Sequence, residues 1–225
     1  MKNRYKKVAH FSEAKFRQIL QCFCLDLTAS DTAEISSLSR NSINRLFTQI
    51  RLRIFALTQS ELEGQKFGGV FECDESYFGA KRVRGKRGRG AAGKTPVFGL
   101  LKRGEHVYVK VVQNCSKAQL MPIVQGKVLE GSVINTDGWK AYDGLVVNGY
   151  DHYRVFHSHD EFVRGKCHIN GIESFWSFAK RRMAKFNGLS DEKFYLHLKE
   201  TEWRWNHKSD NIYRLLLKNF RQKPL

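Results

Sequence analysis

Residues 68–75 read GGVFECDE, Gly68 to Glu75, and the rest of the chain can be read outward from them. The two glycines mark the change from loop to strand. Val70, Phe71, Glu72 and Cys73 then make a short buried strand that ends in two neighbouring acids, Asp74 and Glu75. Side chains alternate faces along a strand, so only one of these acids can enter a given site. Asp74 is the choice, because two later stretches set acids in compatible places. Val133-Ile134-Asn135-Thr136-Asp137-Gly138 is a second strand that ends in an acid and a glycine, and Asn170-Gly171-Ile172-Glu173 opens a long amphipathic helix. Two strand-end carboxylates and one helix carboxylate can hold two Mg²⁺ or Mn²⁺ ions about 4 Å apart.

A sheet can be assembled around Asp74. Residues 96–101 and 107–112 read as a hairpin. Residues 117–129 carry Leu120, Ile123, Val124 and Val128 at helical spacing. Residues 132–136 form the next strand, 139–145 a short helix and 152–156 a fifth strand. The order predicts an α/β fold, a five-stranded mixed sheet flanked by helices. Ligands gather at strand ends in such sheets, where Asp74 and Asp137 fall.

Directly after the Asp74 strand come Lys81, Arg82, Arg84, Lys86, Arg87, Arg89 and Lys94, interleaved with glycines and with no acid among them. No core forms from this composition. It predicts a mobile positive loop placed to meet a phosphate backbone. Its glycine spacing matches no Walker motif, which sets an ATPase aside. Further on, His157, His159, Asp160 and His168 make a polar loop whose spacing matches no closed zinc site. His168 precedes the Glu173 helix and is placed to contact a phosphate or orient a water. In that helix Ile172, Trp176, Ala179, Met183 and Phe186 form an apolar stripe, with Asn170 as the expected cap. Glu173 lies at the rim, Ser177 and Lys180 share its face, and Arg181, Arg182 and Lys185 extend a basic side. A last helix from about Asp191, with Phe194, Leu198, Thr201 and Trp205 on one side, is expected to pack on the sheet and lead into a basic tail.

The front of the chain is helical. Phe16, Ile19, Leu20, Phe23 and Leu27 recur at helical spacing. A short helix over 32–38, capped by Asp31 with Glu34 reaching back, is followed by a tight turn and a longer helix with Ile43, Phe47, Ile50, Ile54 and Leu57 on one stripe. This is the pattern of a helix-turn-helix, with Ser42, Asn44 and Arg45 at the leading end of the recognition helix. The expected division is a DNA-binding region and linker over 1–64 and a catalytic domain with a C-terminal helix over 65–225.

Bulk properties agree. The 225 residues carry a formal net charge of +17, which points to a polyanionic partner, nucleic acid first. Five cysteines with no CxxC pair suggest neither a disulfide framework nor a zinc ribbon. No run of eighteen apolar residues and no signal-peptide core is present, so the expectation is a cytoplasmic protein with no membrane partner.

Three motifs, CDESYFG, NTDGWKAY and HINGIESFWSFAKRR, resemble a bacterial insertion-sequence transposase of the DDE type with a ribonuclease H-like catalytic domain. The resemblance spans about residues 68–207, and the 36 positions from Asp137 to Glu173 are similar to the short second spacing of that family. It implies an acidic triad of Asp74, Asp137 and Glu173 and metal-dependent DNA cleavage and strand transfer. It further implies double-stranded DNA with terminal inverted repeats, a target DNA, and a homodimer or larger assembly on DNA. Relatives often carry an N-terminal zinc ribbon, and the cysteine pairs for one are missing here, which leaves end recognition to the helix-turn-helix. Two alternatives remain: a metal-dependent nuclease without strand transfer, and a non-catalytic DNA-binding protein.

Overall fold

β-Branched and aromatic residues fill the middle of the chain in short runs, and these pair into a mixed sheet. The computed structural model describes residues 3–62, 64–79, 93–137, 142, 144–155, 168–186 and 188–225. Within them the strands are β1 (Val70–Phe78), β2 (Thr95–Lys102), β3 (Val107–Val111), β4 (Val133–Asp137) and β5 (Asp151–Val155), in spatial order β3-β2-β1-β4-β5. β1, β2 and β3 are antiparallel neighbours, whereas β4 runs parallel to both β1 and β5. This is the expected five-stranded mixed sheet, flanked by helices and preceded by a small helical region, in keeping with a ribonuclease H-like fold.

One correction concerns β1. Its acids are not at the strand's end, because pairing with β2 continues through Ser76 opposite Val97 to Phe78 opposite Thr95. The parallel pairing with β4 does stop at Cys73 opposite Thr136. Alternation sends Phe71 and Cys73 into a core with Phe98, Leu100, Ile134 and the buried side of α4 (Lys117–Lys127), namely Leu120, Met121, Ile123 and Val124. The other face takes α5 (Asn170–Met183), which buries Ile172, Phe175, Trp176, Ala179 and Met183. Gly99 makes that packing possible, since a Cβ there would stand 2.5 Å from Trp176 Cζ2 and 2.9 Å from Ile172 Cδ1.

Packing sorts the chain into two compact units, Leu62–Ala184 around the sheet, and Met1–Glu61 together with Lys185–Leu225. The helical unit contains α1 (Glu13–Cys24), α2 (Ala29–Ser36), α3 (Arg40–Leu62), α6 (Asp191–Asn206) and α7 (Ile212–Gln222). The C-terminal helices thus join the front helices instead of the sheet. The reason is apolar: Trp203, Leu216 and Phe220 complete one core with Phe16, Ile19, Phe23, Ile43, Phe47, Ile50 and Ile54. The stretch read as a basic tail is α7, whose exposed side is basic and whose hidden side is Leu216 and Phe220. The short second helix also begins earlier than expected. Thr28 caps it, and Asp31, not Glu34, closes the capping box, since Thr28 sits three residues ahead of Asp31 as the motif requires.

A buried charge network pins α6 within this unit. Glu200, 1% exposed, accepts from Arg51 Nε at 2.7 Å and Arg204 Nε at 2.8 Å. Arg204 also donates to the carbonyls of Phe23 and Cys24 at the end of α1. Removing the carboxylate takes the shared ion-pair partner from two buried guanidinium groups. Glu200→Ala should therefore lower unfolding free energy by about 3–5 kcal/mol in a urea melt, and a loss below about 1 kcal/mol would show that the network is not needed.

Candidate active site

Sheet register decides which acids meet. Cα partners on neighbouring strands point to the same face, and side chains two apart on a strand do so as well. Glu72 is opposite Asn135, so Asp74 and Asp137, each two positions further, share one face on adjacent parallel strands. Asp74 is also opposite Gly99, the residue over which Trp176 lies, so this is the α5 face. Glu75 points the other way, where the buried Tyr142 hydroxyl donates to its carboxylate. Glu173 sits in the first turn of α5 and is exposed, as are Ser177 and Lys180 on the same side of that helix.

Asp74 responds to its surroundings and to the other two acids. The Asp74 carboxyl is pushed up to about 6, chiefly by burial. Negative charge on Asp137 and on Glu173 pushes the same way, while the Glu75 backbone N–H opposes it. Trp176 also opposes it, although its buried indole Nε1 is not in hydrogen-bond geometry with any group among the described residues. Among the described residues, no three His, Cys, Asp or Glu side chains stand close enough together to form a ready-made metal cluster. The donors themselves are hard carboxylate oxygens suited to Mg²⁺ or Mn²⁺, and a carboxyl whose ionised form is disfavoured by burial and like charge gains from a cation beside it. A small apolar cleft lined by Phe67, Phe71, Leu100 and Tyr108 opens on the opposite face and touches none of the three acids.

A fourth carboxylate, to which sequence reasoning gives no role, lies beside them. Glu72 is 1% exposed on the Asp74 face. Its Oε2 accepts the Ile172 backbone N–H at 2.9 Å, and its Oε1 accepts from Arg103 Nε at 2.8 Å. Arg103 Nη2 donates to the carbonyl of His168, whose Nδ1 lies 3.4 Å from Glu72 Oε1 without making a hydrogen bond. His168 is thus packed against Glu72 at the start of α5. The expected cap, Asn170, is instead the first helical residue, and Ile169 at the cap position makes no side-chain bond. The only sequence signal for Glu72 is an acid inside a strand read as buried.

The expected DNA contacts are scattered. Asn44, Arg45 and Ser42 are exposed at the leading end of α3, where the Ser42 hydroxyl pairs with that of Ser39 at 2.9 Å. Lys94 is half-buried where β2 begins, beside Gly79 at the end of β1. Lys180 and Arg181 are exposed on α5, while Arg182 is buried. Lys185 belongs to the helical unit and ion-pairs with Asp26, so it does not extend the α5 face as expected. Lys81, Arg82, Arg84, Lys86, Arg87 and Arg89, the loop at His157, His159 and Asp160, and most of the helix expected over 139–145 lie outside the described residues.

A mixed five-stranded sheet flanked by helices, here with acids on two adjacent parallel strands, is consistent with a ribonuclease H-like fold. Residues 66–206 match the family model described as the ISXO2-like transposase domain. A Haemophilus influenzae protein described as an uncharacterized transposase-like protein is 46% identical over 101 residues, covering 45% of this chain and 81% of that one. An uncharacterized protein in transposable element ISH50 of Halobacterium salinarum is 30% identical over 152 residues. That match covers 60% of this chain and 52% of the relative. Among solved structures, the catalytic domain of the Mos1 mariner transposase aligns at 13% identity and a TM-score of 0.40, over 77% of this chain and 92% of that one, a likeness too slight to add weight. The chain belongs to the ISXO2-like transposase domain family, and is a DDE-type transposase, a class that cleaves DNA and transfers strands.

The raised Asp74 carboxyl has a measurable consequence. An unfolded aspartate titrates near 3.8 and the folded one at about 6, so the folded chain binds more protons between those values. Stability from this group is full below about pH 4 and is lost as pH rises through about 6. Asp74→Asn should therefore be more stable than wild type at about pH 7.5, by up to about 3 kcal/mol, and equal to it at about pH 4. Thermal melts without divalent cation read this directly, and a variant no more stable at the higher pH would contradict the burial and crowding of Asp74.

Proposed function

We propose that this chain cleaves DNA at the ends of an insertion sequence and joins the freed 3′ ends to a target, using Asp74, Asp137 and Glu173 to hold a pair of Mg²⁺ or Mn²⁺ ions. The single observation that supports the assignment of residues is the sheet register, with Asp74 and Asp137 on one face of adjacent parallel strands under α5; burial raises the Asp74 carboxyl most, and negative charge on Asp137 and Glu173 adds to it. Three carboxylates brought to one face from positions 99 apart in sequence are the candidate ligands for divalent cation, and the family suggests the reaction class.

When bound, such ions lower the pKa of a nucleophilic water or hydroxyl and neutralise the leaving oxygen. The protein's own part is placement. Asp74 and Asp137 come from a rigid parallel pair, and Glu173 comes from a helix held on the same face. Lys180 and Arg181 leave α5 on its exposed side, where a scissile backbone would be held, and Lys94 and the lysines and arginines between 81 and 89 in the sequence would add phosphate contacts. Ser42, Asn44 and Arg45 at the start of α3 would read the terminal inverted repeat, with Arg45 and its neighbours split between base edges and phosphates. Two ends must be brought together for joining, so a dimer or larger assembly on DNA is expected. No helix among the described residues is long and apolar enough to cross a membrane, and a nucleoid location follows from the DNA partner.

The reading is tested with labelled repeat ends, a target duplex and Mg²⁺. Wild type should yield both nicked ends and joined products, and chelator should abolish both. Asp137→Asn should lose at least about a thousandfold in cleavage rate while binding the same DNA with a Kd within about threefold. Cleavage without joined product would favour a plain nuclease. An Asp137→Asn protein as active as wild type would remove the acid triad from the mechanism.

The positive charge makes a separate demand. Binding to any duplex should weaken steeply with salt, falling by at least about a hundredfold between 50 and 200 mM, if several of these lysines and arginines meet phosphates. A flat salt response in a filter-binding assay would place the basic residues elsewhere.

A further inference from the structure

We propose that Glu72 and Arg103 are positioning residues that set where Glu173 stands relative to Asp74, a role that rests on the functional reading above. Helix α5 has no side-chain cap of its own, since Ile169 occupies the cap position without a bond. The helix start is held from across the sheet instead. Glu72 Oε2 accepts the N–H of Ile172, the residue directly before Glu173. Glu72 Oε1 is held in turn by Arg103, and Arg103 also grips the carbonyl of His168, two residues ahead of the helix.

A local serine or aspartate cap would stabilise this helix end equally well. It would not tie the helix to β1. Glu72 is two residues from Asp74 on one face of that strand, and Ile172 is one residue from Glu173, so a single carboxylate links the two backbones that carry the acids. The fit is close. A Cβ on Gly171 would stand 2.8 Å from Glu72 Oε2 and 3.2 Å from Leu101 Cδ2, so only glycine lets the helix start come down onto the carboxylate. Burying a charged pair is a costly way to cap a helix, and its return is fixed geometry. Chemistry that depends on carboxylates held in place loses about a hundredfold for an ångström of misplacement.

The test compares full-length wild type, Glu72→Gln, Gly171→Ala and Arg103→Lys, with Glu173→Gln as the reference for loss of the acid itself. Two readouts are taken: the midpoint of the Mn²⁺-induced rise in Tm without DNA, and the single-turnover cleavage rate at saturating repeat-end duplex. DNA affinity is measured alongside. Glu72→Gln and Gly171→Ala should move the Mn²⁺ midpoint upward by at least about fivefold and slow cleavage by about ten- to a hundredfold, with DNA Kd within about twofold. High Mn²⁺ should restore much of the lost rate in these variants and none in Glu173→Gln, because the displaced acid is still present in the former. Should Glu72→Gln fail to fold, Gly171→Ala and Arg103→Lys carry the same test.

A wild-type Mn²⁺ midpoint and rate in the folded clamp variants, with Glu173→Gln defective, overturns the positioning role and leaves the functional reading standing. If Glu173→Gln itself matches wild type in both readouts, the functional reading fails and the positioning role fails with it.

Discussion

Everything at the site depends on the strict alternation of side chains along β1. Phe71, Cys73 and Glu75 turn towards α4, and Glu72, Asp74 and Phe78 turn towards α5. One face therefore carries a grip on the covering helix, an acid, the buried Ser76 and an aromatic contact with Trp176 in turn. A slip of one residue in pairing with β2 would send Asp74 into the α4 core and bring Glu75 to the helix. The apolar contacts of Phe71 and Cys73 oppose that slip, so the hydrophobic core and the acidic site are fixed by one register.

Gly99 and Gly171 show how closely the helix must approach. Neither position is a turn. Each is a place where any side chain would strike a residue on the other side of the helix–sheet contact, Trp176 above Gly99 and Glu72 beside Gly171. The helix lies low over the sheet, which is why an acid in its first turn can raise the carboxyl of an acid in the middle of a strand. The helical unit has a core of its own, in which apolar packing and the Arg51–Glu200–Arg204 network bring together helices from both ends of the sequence.

Much of this was legible in the sequence, and the misses have physical reasons. Strand periodicity, the hairpin at 96–112 and the two strands carrying acids are local patterns, and they led to the observed sheet. The preference for Asp74 over Glu75 as the inward acid rested on later motifs, and the geometry places it on the α5 face. The pairing of α7 with the front helices was not legible, because Leu216 and Phe220 stand among lysines and arginines, and only front-helix partners such as Phe16, far away in sequence, show what they bury against. Glu72 was hidden for the same cause: a buried carboxylate in a strand is explained only by an arginine on β2 and a backbone N–H on α5. Lys185 looked like part of a basic helix face, yet α5 ends at Met183 and the lysine turns to Asp26.

The central claim is that Asp74, Asp137 and Glu173 share cations on the α5 face of the sheet. Anomalous diffraction from crystals grown with Mn²⁺ tests it most directly. The account predicts strong anomalous peaks bounded by oxygens of these three side chains. Peaks found only elsewhere, or none in crystals where Mn²⁺ supports cleavage, would contradict it.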